Sequence, residues 1–156
     1  MRKLKLSTKG RYGLRIMIDL AIHSVNDHIS LNSVAERQNI SENYLEQIIS
    51  PMRKACLVKS IKGSQGGYLL GNKPSKITVG EVLRVLEVDF ASVDEGADSD
   101  LDKNSIQGCI QSIVWDKLAD TVYEFIHSIT LEDVVEEYES RNGAEKINVF
   151  YLKGGL

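Results

Sequence analysis

Residues 62–71 read Lys62-Gly63-Ser64-Gln65-Gly66-Gly67-Tyr68-Leu69-Leu70-Gly71. A glycine-rich polar stretch of this kind either cradles a phosphate or turns a hairpin. A Walker-type phosphate loop closes on Gly-Lys-Ser/Thr and runs directly into a helix, whose first N–H groups complete the cradle. Neither feature is present. Leu57–Ile61 before the loop and Gly67–Gly71 after it are short β-prone runs, and together they read as a hairpin with Lys62–Gly66 at its tip. The tip glycines then serve the positive φ angles of the turn and let backbone approach a partner closely.

The sequence upstream of the hairpin is helical. Ser7 or Thr8 caps a helix to about Val25, with Leu14, Met17, Ile18, Ala21 and Val25 on one face. Ser30 opens a short helix over LNSVAERQ, Asn39 stops it, Ile40 packs inward and Ser41 caps a third helix, ENYLEQIISPMRKA. Leu45, Ile48, Ile49 and Met52 form the buried face of that helix, and Pro51 is expected to kink or weaken its last turns. Helix, short helix, tight turn, third helix and β-hairpin make a winged helix-turn-helix over residues 1–87. The fold class is mainly α, with a small β-hairpin wing and a long dimerisation helix.

Beyond the wing, Thr78-Val79-Gly80-Glu81 is a capping box opening a helix to about Glu87. Residues 88–104 are acidic and unpatterned, a loop. A long helix follows over 105–129, and Ile106, Ile110, Ile113, Leu118, Val122 and Phe125 on it are the expected dimer interface. In the last segment, 130–156, Thr130 caps a helix over LEDVVEEYES, and INVFYL reads as an extended strand or tail.

Net charge over the 156 residues is −3, but the average conceals a division. Residues 1–76 carry 13 Lys/Arg against 5 Asp/Glu, a net of +8, whereas residues 77–156 carry 6 against 17, a net of −11. The first half therefore suits a polyanion. In a helix-turn-helix the third helix enters the major groove, and Ser41, Asn43, Tyr44, Glu46 and Gln47 are its candidates. Glu46 can accept from a cytosine amino group, Asn43 or Gln47 can pair with adenine, and Ser41 and Tyr44 can bond phosphates. Residue types alone leave open whether Glu42 and Glu46 are instead a solvated i,i+4 face. The wing offers Lys59, Lys62, Ser64 and Gln65. Lys5, Lys9, Arg11, Arg53 and Lys54 are expected clamps on the DNA backbone, which would make affinity fall with salt. A homodimer would present two such helices to a pseudo-palindromic operator.

Enzyme chemistry finds no support in the sequence. Cys56 and Cys109 have no base at motif spacing and are expected to be buried packing residues. His23, His28 and His127 form no ligand set. The run from Asp98 begins like a calcium loop, but Lys103 stands where that loop needs Gly and Cys109 where it needs Glu. No metal site is expected. No run approaches the roughly 20 apolar residues that span a bilayer, and the basic N-terminus has no signal-peptide core, so the expected compartment is the cytoplasm.

LSTKGRYGLRIMIDLA, SENYLEQIISPMRKACLVKSIKGSQGGYLLG and ITVGEVLRVLE together resemble the Rrf2 family of bacterial winged-helix transcription regulators. The resemblance covers about residues 4–88 by motif and the remainder by architecture. It implies a homodimer built on the long helix and DNA read by the third helix and wing, with Tyr44, Glu46, Gln47, Lys62, Ser64 and Gln65 at the contacts. Lys62 stands where many relatives carry Arg, which loses planar, bidentate recognition. Cluster-binding members place three cysteines between the helix after the wing and the dimer helix; residues 88–108 here contain none. No iron–sulfur cofactor is therefore expected. TLEDV and NVFYL resemble the branch that represses sulfur and cysteine-uptake genes and works with cysteine synthase. By that resemblance the C-terminal region, ending in Leu156 with its free carboxylate, is the candidate docking site for the enzyme. Two other readings remain open: a thiol-based redox regulator using Cys56 or Cys109, and a protein-interaction adaptor with residual DNA affinity.

Overall fold

The computed structural model describes residues 6–87 and 101–152, with side chains as far as residue 143. Helix α1 spans Thr8–His23, and the Ser7 hydroxyl caps it by accepting from the Gly10 N–H at 2.9 Å. Its buried stripe is Ile16, Met17, Leu20 and Ala21. The expected stripe is displaced by this: Met17 and Ala21 belong to it, Leu14 and Ile18 lie half-buried beside it, and Val25 is 74% exposed. Val25 falls outside the stripe because α1 ends two residues early, where Ser24 turns its N–H and hydroxyl back onto the Leu20 carbonyl.

Helix α2 (Leu31–Gln38) starts at Ser30 and stops at Asn39, whose φ of 53° turns the chain. The Ile40 N–H then bonds the Ala35 carbonyl at 3.1 Å, and Ile40 packs against the core. Helix α3 (Glu42–Lys54) is capped by Ser41 and buries Leu45, Ile48, Ile49 and Met52. Pro51 removes one intrahelical donor, yet the helix continues through it to Lys54. What ends α3 is Cys56 at φ 60°, with Cys56 N–H on the Arg53 carbonyl and Leu57 N–H on the Met52 carbonyl, each at 3.0 Å. This pair of bonds is the Schellman arrangement.

Strands β1 (Val58–Ile61) and β2 (Gly67–Leu70) pair antiparallel, with Val58 opposite Leu70 and Ile61 opposite Gly67. Of the tip glycines only Gly63 has positive φ, at 119°. Gly67 is needed for a different reason: a Cβ there would stand 2.3 Å from the Ile29 carbonyl oxygen. The close backbone approach is thus to the chain itself. Ile29 exchanges both backbone bonds with Tyr68 at 2.8 Å, which fastens the wing to the α1–α2 connection.

A 3₁₀ turn at Pro74–Lys76 leads to α4 (Val79–Leu86), which has the expected Thr78–Glu81 capping box. Ile77, Val82, Leu83 and Leu86 close the core together with Leu131 from the C-terminal half. That half is tied on by two bonds of 2.9 Å, Val79 N–H to Ile129 and Leu131 N–H to Ile77.

The long helix is α5 (Ile106–Ile110), a π-helical turn (Gln111–Trp115) and α6 (Asp116–Ser128) in one continuous run from a Ser105 cap. The π turn settles a spacing problem. Ile106 to Ile113 and Leu118 to Phe125 are steps of seven, two helical turns, but Ile113 to Leu118 is a step of five. A π turn, bonded i→i+5, holds more residues than the roughly 3.6 of an α turn, so the step of five returns nearer to the same face. Ile106, Ile113, Leu118 and Phe125 are 82, 61, 48 and 63% exposed, whereas Ile110 and Val122 are half-buried.

Helix α7 spans Leu131–Leu152. The expected strand or tail at INVFYL is therefore corrected to helix. A capping pair, Thr130 with Asp133, starts α7, no proline interrupts it, and among the described residues no strand runs beside it to pair with. The acidic segment 88–100 and the terminal residues 153–156 lie outside the described residues, as does Lys5.

Candidate nucleic-acid interface

Helix α3 turns Glu42, Asn43, Glu46 and Gln47 to solvent on the face opposite its buried stripe. Asn43, Glu46 and Gln47 share an open groove with Lys9 of α1 and Lys54 at the end of α3. A second groove on the wing side brings Arg53 together with Ser60, Lys62 and Tyr68. The expected Arg53-Lys54 clamp is thus divided, one cation on each flank of the helix. Among the described residues, Lys9, Arg53, Lys54, Lys59 and Lys62 make no ion pair, so their charge is available to an outside anion.

The remaining candidates are placed less uniformly. Ser41 is exposed, and its oxygen accepts from the Tyr44 N–H at 3.2 Å, which leaves its hydroxyl proton and one lone pair to offer. Tyr44 is half-buried, with its ring edge-on to Tyr12 at 5.8 Å. Lys62, Ser64 and Gln65 are all exposed at the wing tip, and Lys59 on β1. The Gln65 carbonyl accepts from His28 Nε2 at 2.5 Å while His28 Nδ1 stands 2.7 Å from Asp27. Arg11 is exposed, within 3.4 Å of the Thr8 hydroxyl and outside both grooves. Arg15, by contrast, is engaged: it donates to Gln38 and lies over the Tyr12 ring at 4.7 Å.

Three features of this face escaped sequence reading. Tyr68 donates to Glu46 Oε1 at 3.3 Å across the gap between the hairpin and α3. Burial, reinforced by the Glu46 charge, pushes its phenol pKa above the ordinary value. Asp19, 3% exposed, holds Arg37 through two bonds of 2.7 and 2.9 Å and accepts from Gln38 at 2.8 Å, fixing α2 on α1. The bonds to Asp19 hold the Arg37 guanidinium above its usual range. His28 anchors the wing. Tyr68 and Leu70 on β2 both pack against the core, but the reach of Tyr68 to Glu46 depends on the angle between wing and helix, which no local pattern encodes.

The cysteines depart from expectation. Cys56 and Cys109 are both exposed. Cys56 is turned out by its left-handed backbone at the end of α3, and Cys109 lies on the outward side of α5, where packing within one chain does not reach it.

A model for transcriptional regulators described as iron-dependent, the Rrf2 model, matches residues 6–137. CymR of Bacillus subtilis is 42% identical over 149 residues, spanning 96% of this chain and all of that protein. The chain belongs to the Rrf2 family. It is a transcriptional regulator, as its relatives are, and not an enzyme. The solved structure of B. subtilis CymR, named as the global cysteine regulator of that organism, superposes with a TM-score of 0.72 at 44% identity, covering 86% of this chain and 98% of the other. The structure of T. potens IscR gives 0.70 at 43% identity, covering 88% and 90%. These similarities extend over the winged helix and the helices that follow it. No helix among the described residues is long and apolar enough to cross a membrane.

The family description raises iron, and the donor set answers poorly. A cysteine-ligated iron–sulfur cluster draws three or four thiolates to one point. The chain has two cysteines in all, one closing α3 and one on α5. No group of three His, Cys, Asp or Glu side chains converges among the described residues. The residues present do not fit such a cluster.

Proposed function

We propose that this Rrf2 regulator is a homodimeric, cluster-free repressor of cysteine and sulfur metabolism genes that binds a pseudo-palindromic operator in double-stranded DNA. The observation that carries the reading is the placement of Asn43, Glu46 and Gln47 between Lys9 and Lys54 on one flank and Arg53 and Lys62 on the other. Cations on both sides of a row of base-reading side chains suit phosphates on both sides of a major groove. Ser41 and Tyr44 add polar contacts near the helix start, and Ser64 and Gln65 extend the reach of the wing tip. The division of labour follows the sequence boundaries: 1–87 binds DNA, 105–129 joins two copies, and 130–156 is the surface for a co-regulator.

The exposed line of Ile106, Ile113, Leu118 and Phe125 supports the dimer, since a lone chain leaves it to water. The cysteine connection rests on the similarity to CymR along that protein's whole length. Cysteine synthase, engaged through the C-terminal region, is the partner this reading names, and the cytoplasm is its compartment. The test is to capture sheared genomic fragments on the purified protein and sequence them. Enrichment upstream of sulfur-assimilation and cysteine genes is the expected result, and enrichment elsewhere would move the regulon. Co-elution with cysteine synthase, with and without O-acetylserine, tests the partner.

A second reading has one observation in its favour. The exposed thiol of Cys56 terminates the reading helix, so peroxide oxidation to a sulfenate, with water released, would place a polar group where α3 meets the wing. Operator affinity of the Cys56→Ser protein before and after peroxide distinguishes the two readings.

A further inference from the structure

We infer that Tyr68 is a positioning residue for Glu46, so that the wing helps to set which base the reading helix selects. The inference deepens the proposed function and rests on α3 being the base-contacting element. Glu46 is exposed on α3, and its three side-chain torsions leave the carboxylate many positions when nothing holds it. A carboxylate that discriminates cytosine must meet the N4 amino group in one geometry. Tyr68 supplies the restraint through its hydroxyl, 3.3 Å from Oε1.

The phenol is itself well placed to act as a fixed point. Tyr68 pairs with Ser60 across the wing, exchanges both backbone bonds with Ile29 on its other edge, and packs its ring against the core. Its raised pKa keeps the proton on the oxygen that donates. The chemistry of the donor matters as much as its position. A lysine or arginine in its place would orient Glu46 but neutralise it. A phenol orients the carboxylate and leaves the negative charge intact, and with it the repulsion of base edges that present only acceptors. Only Oε1 is engaged among the described residues, so Oε2 retains its accepting capacity.

The test needs no prior operator. A duplex pool randomised over about 21 base pairs, two helical turns, is selected on the wild-type protein and on Glu46→Ala, Tyr68→Phe and the double variant, then sequenced. Glu46→Ala is expected to flatten one base-pair column and its symmetry mate. Tyr68→Phe, which keeps the ring in the core, is expected to flatten the same columns by about tenfold, the effect of one hydrogen bond to a charged group. The double variant should lose no more than Glu46→Ala, and the salt dependence of Tyr68→Phe should match wild type. Glu46→Asp, which draws the carboxylate away from the phenol but keeps its charge, should reproduce the column-specific loss.

Flattening by Glu46→Ala with wild-type columns in Tyr68→Phe and Glu46→Asp would overturn the positioning role and leave the base-reading role intact. No change in Glu46→Ala would remove the base-reading role itself, and the inference with it. Uniform loss across all columns in Tyr68→Phe would mark Tyr68 as merely structural and also overturn it.

Discussion

The Asp19 carboxylate, 1% exposed, grips the Arg37 guanidinium at 2.7 Å and thereby fastens the short second helix to the first. Because α2 precedes the tight turn into α3, this pair sets the base on which α3 stands. Arg37 is about one-third exposed, so the pair is only partly desolvated. Removing the cation still leaves a buried carboxylate with Gln38 as its main remaining donor. Arg37→Ala is expected to cost about 3 kcal/mol, the lower end for a broken buried pair, as read by urea unfolding. A loss below about 0.5 kcal/mol, typical of surface substitutions, would show that water or Gln38 satisfies Asp19 unaided.

Much of this fold was legible because local chemistry dictates it. Ser30, Asn39, Ser41 and Thr78 act in the structure as their types and spacing suggest, and the hairpin falls where Gly63 permits its turn. The failures share a cause. INVFYL is β-prone by composition, yet α7 carries it because its cap starts a helix that nothing breaks. The apolar neighbours of Cys56 suggest packing, but the chain reverses there and turns it outward. For the candidate interface, residue types pointed to the solvent face of α3, whereas the division of Arg53 from Lys54 and the reach of Tyr68 arise only from tertiary placement.

Cys56 occupies a left-handed position that glycine fills most readily. Cys56→Gly is therefore expected to stabilise the protein by about 1 kcal/mol, a rise of about 3 °C in Tm for a chain of this size. Cys56→Val, β-branched at the same φ, should lower Tm. Equal Tm values for the three proteins would mean that the helix end relaxes to another conformation.

The phenol of Tyr68 gives a pH dependence of definite sign. Its pKa lies above 10.0 in the folded protein, chiefly through burial and then through the Glu46 charge. The folded state thus holds this proton more tightly than the unfolded state. Its contribution to stability is complete below about pH 10 and is lost as pH rises through the folded value. Urea midpoints between pH 9 and 11 should fall more steeply for wild type than for Tyr68→Phe. Parallel curves would contradict the burial of this group.

Ile113→Glu and Leu118→Glu place charges in the apolar line that spans the π turn. Sedimentation at micromolar protein is expected to give a dimer for wild type and a monomer for each variant, with specific DNA binding weakened in both. Dimers of unchanged affinity would place the contact on another surface.

Lys9 and Lys54 flank one side of the reading face and Arg53 and Lys62 the other. Alanine at any one of them is expected to weaken binding to all sequences alike and to reduce the salt slope by about 1 per site contacted. A substitution that altered base preference without changing the slope would reassign that residue from phosphate to base.

In the proposed function, α3 and the wing together read a specific DNA sequence. Fluorescence anisotropy tests it most directly, with a labelled duplex from upstream of a cysteine-biosynthesis operon and a scrambled duplex of equal length, titrated with wild type and with the Glu46→Ala, Lys62→Ala double variant across salt. Wild type is expected to bind the first duplex more tightly, with a steep salt slope on both, and the double variant to lose the difference between them. A preference for the first duplex that the double variant retains in full would contradict that reading.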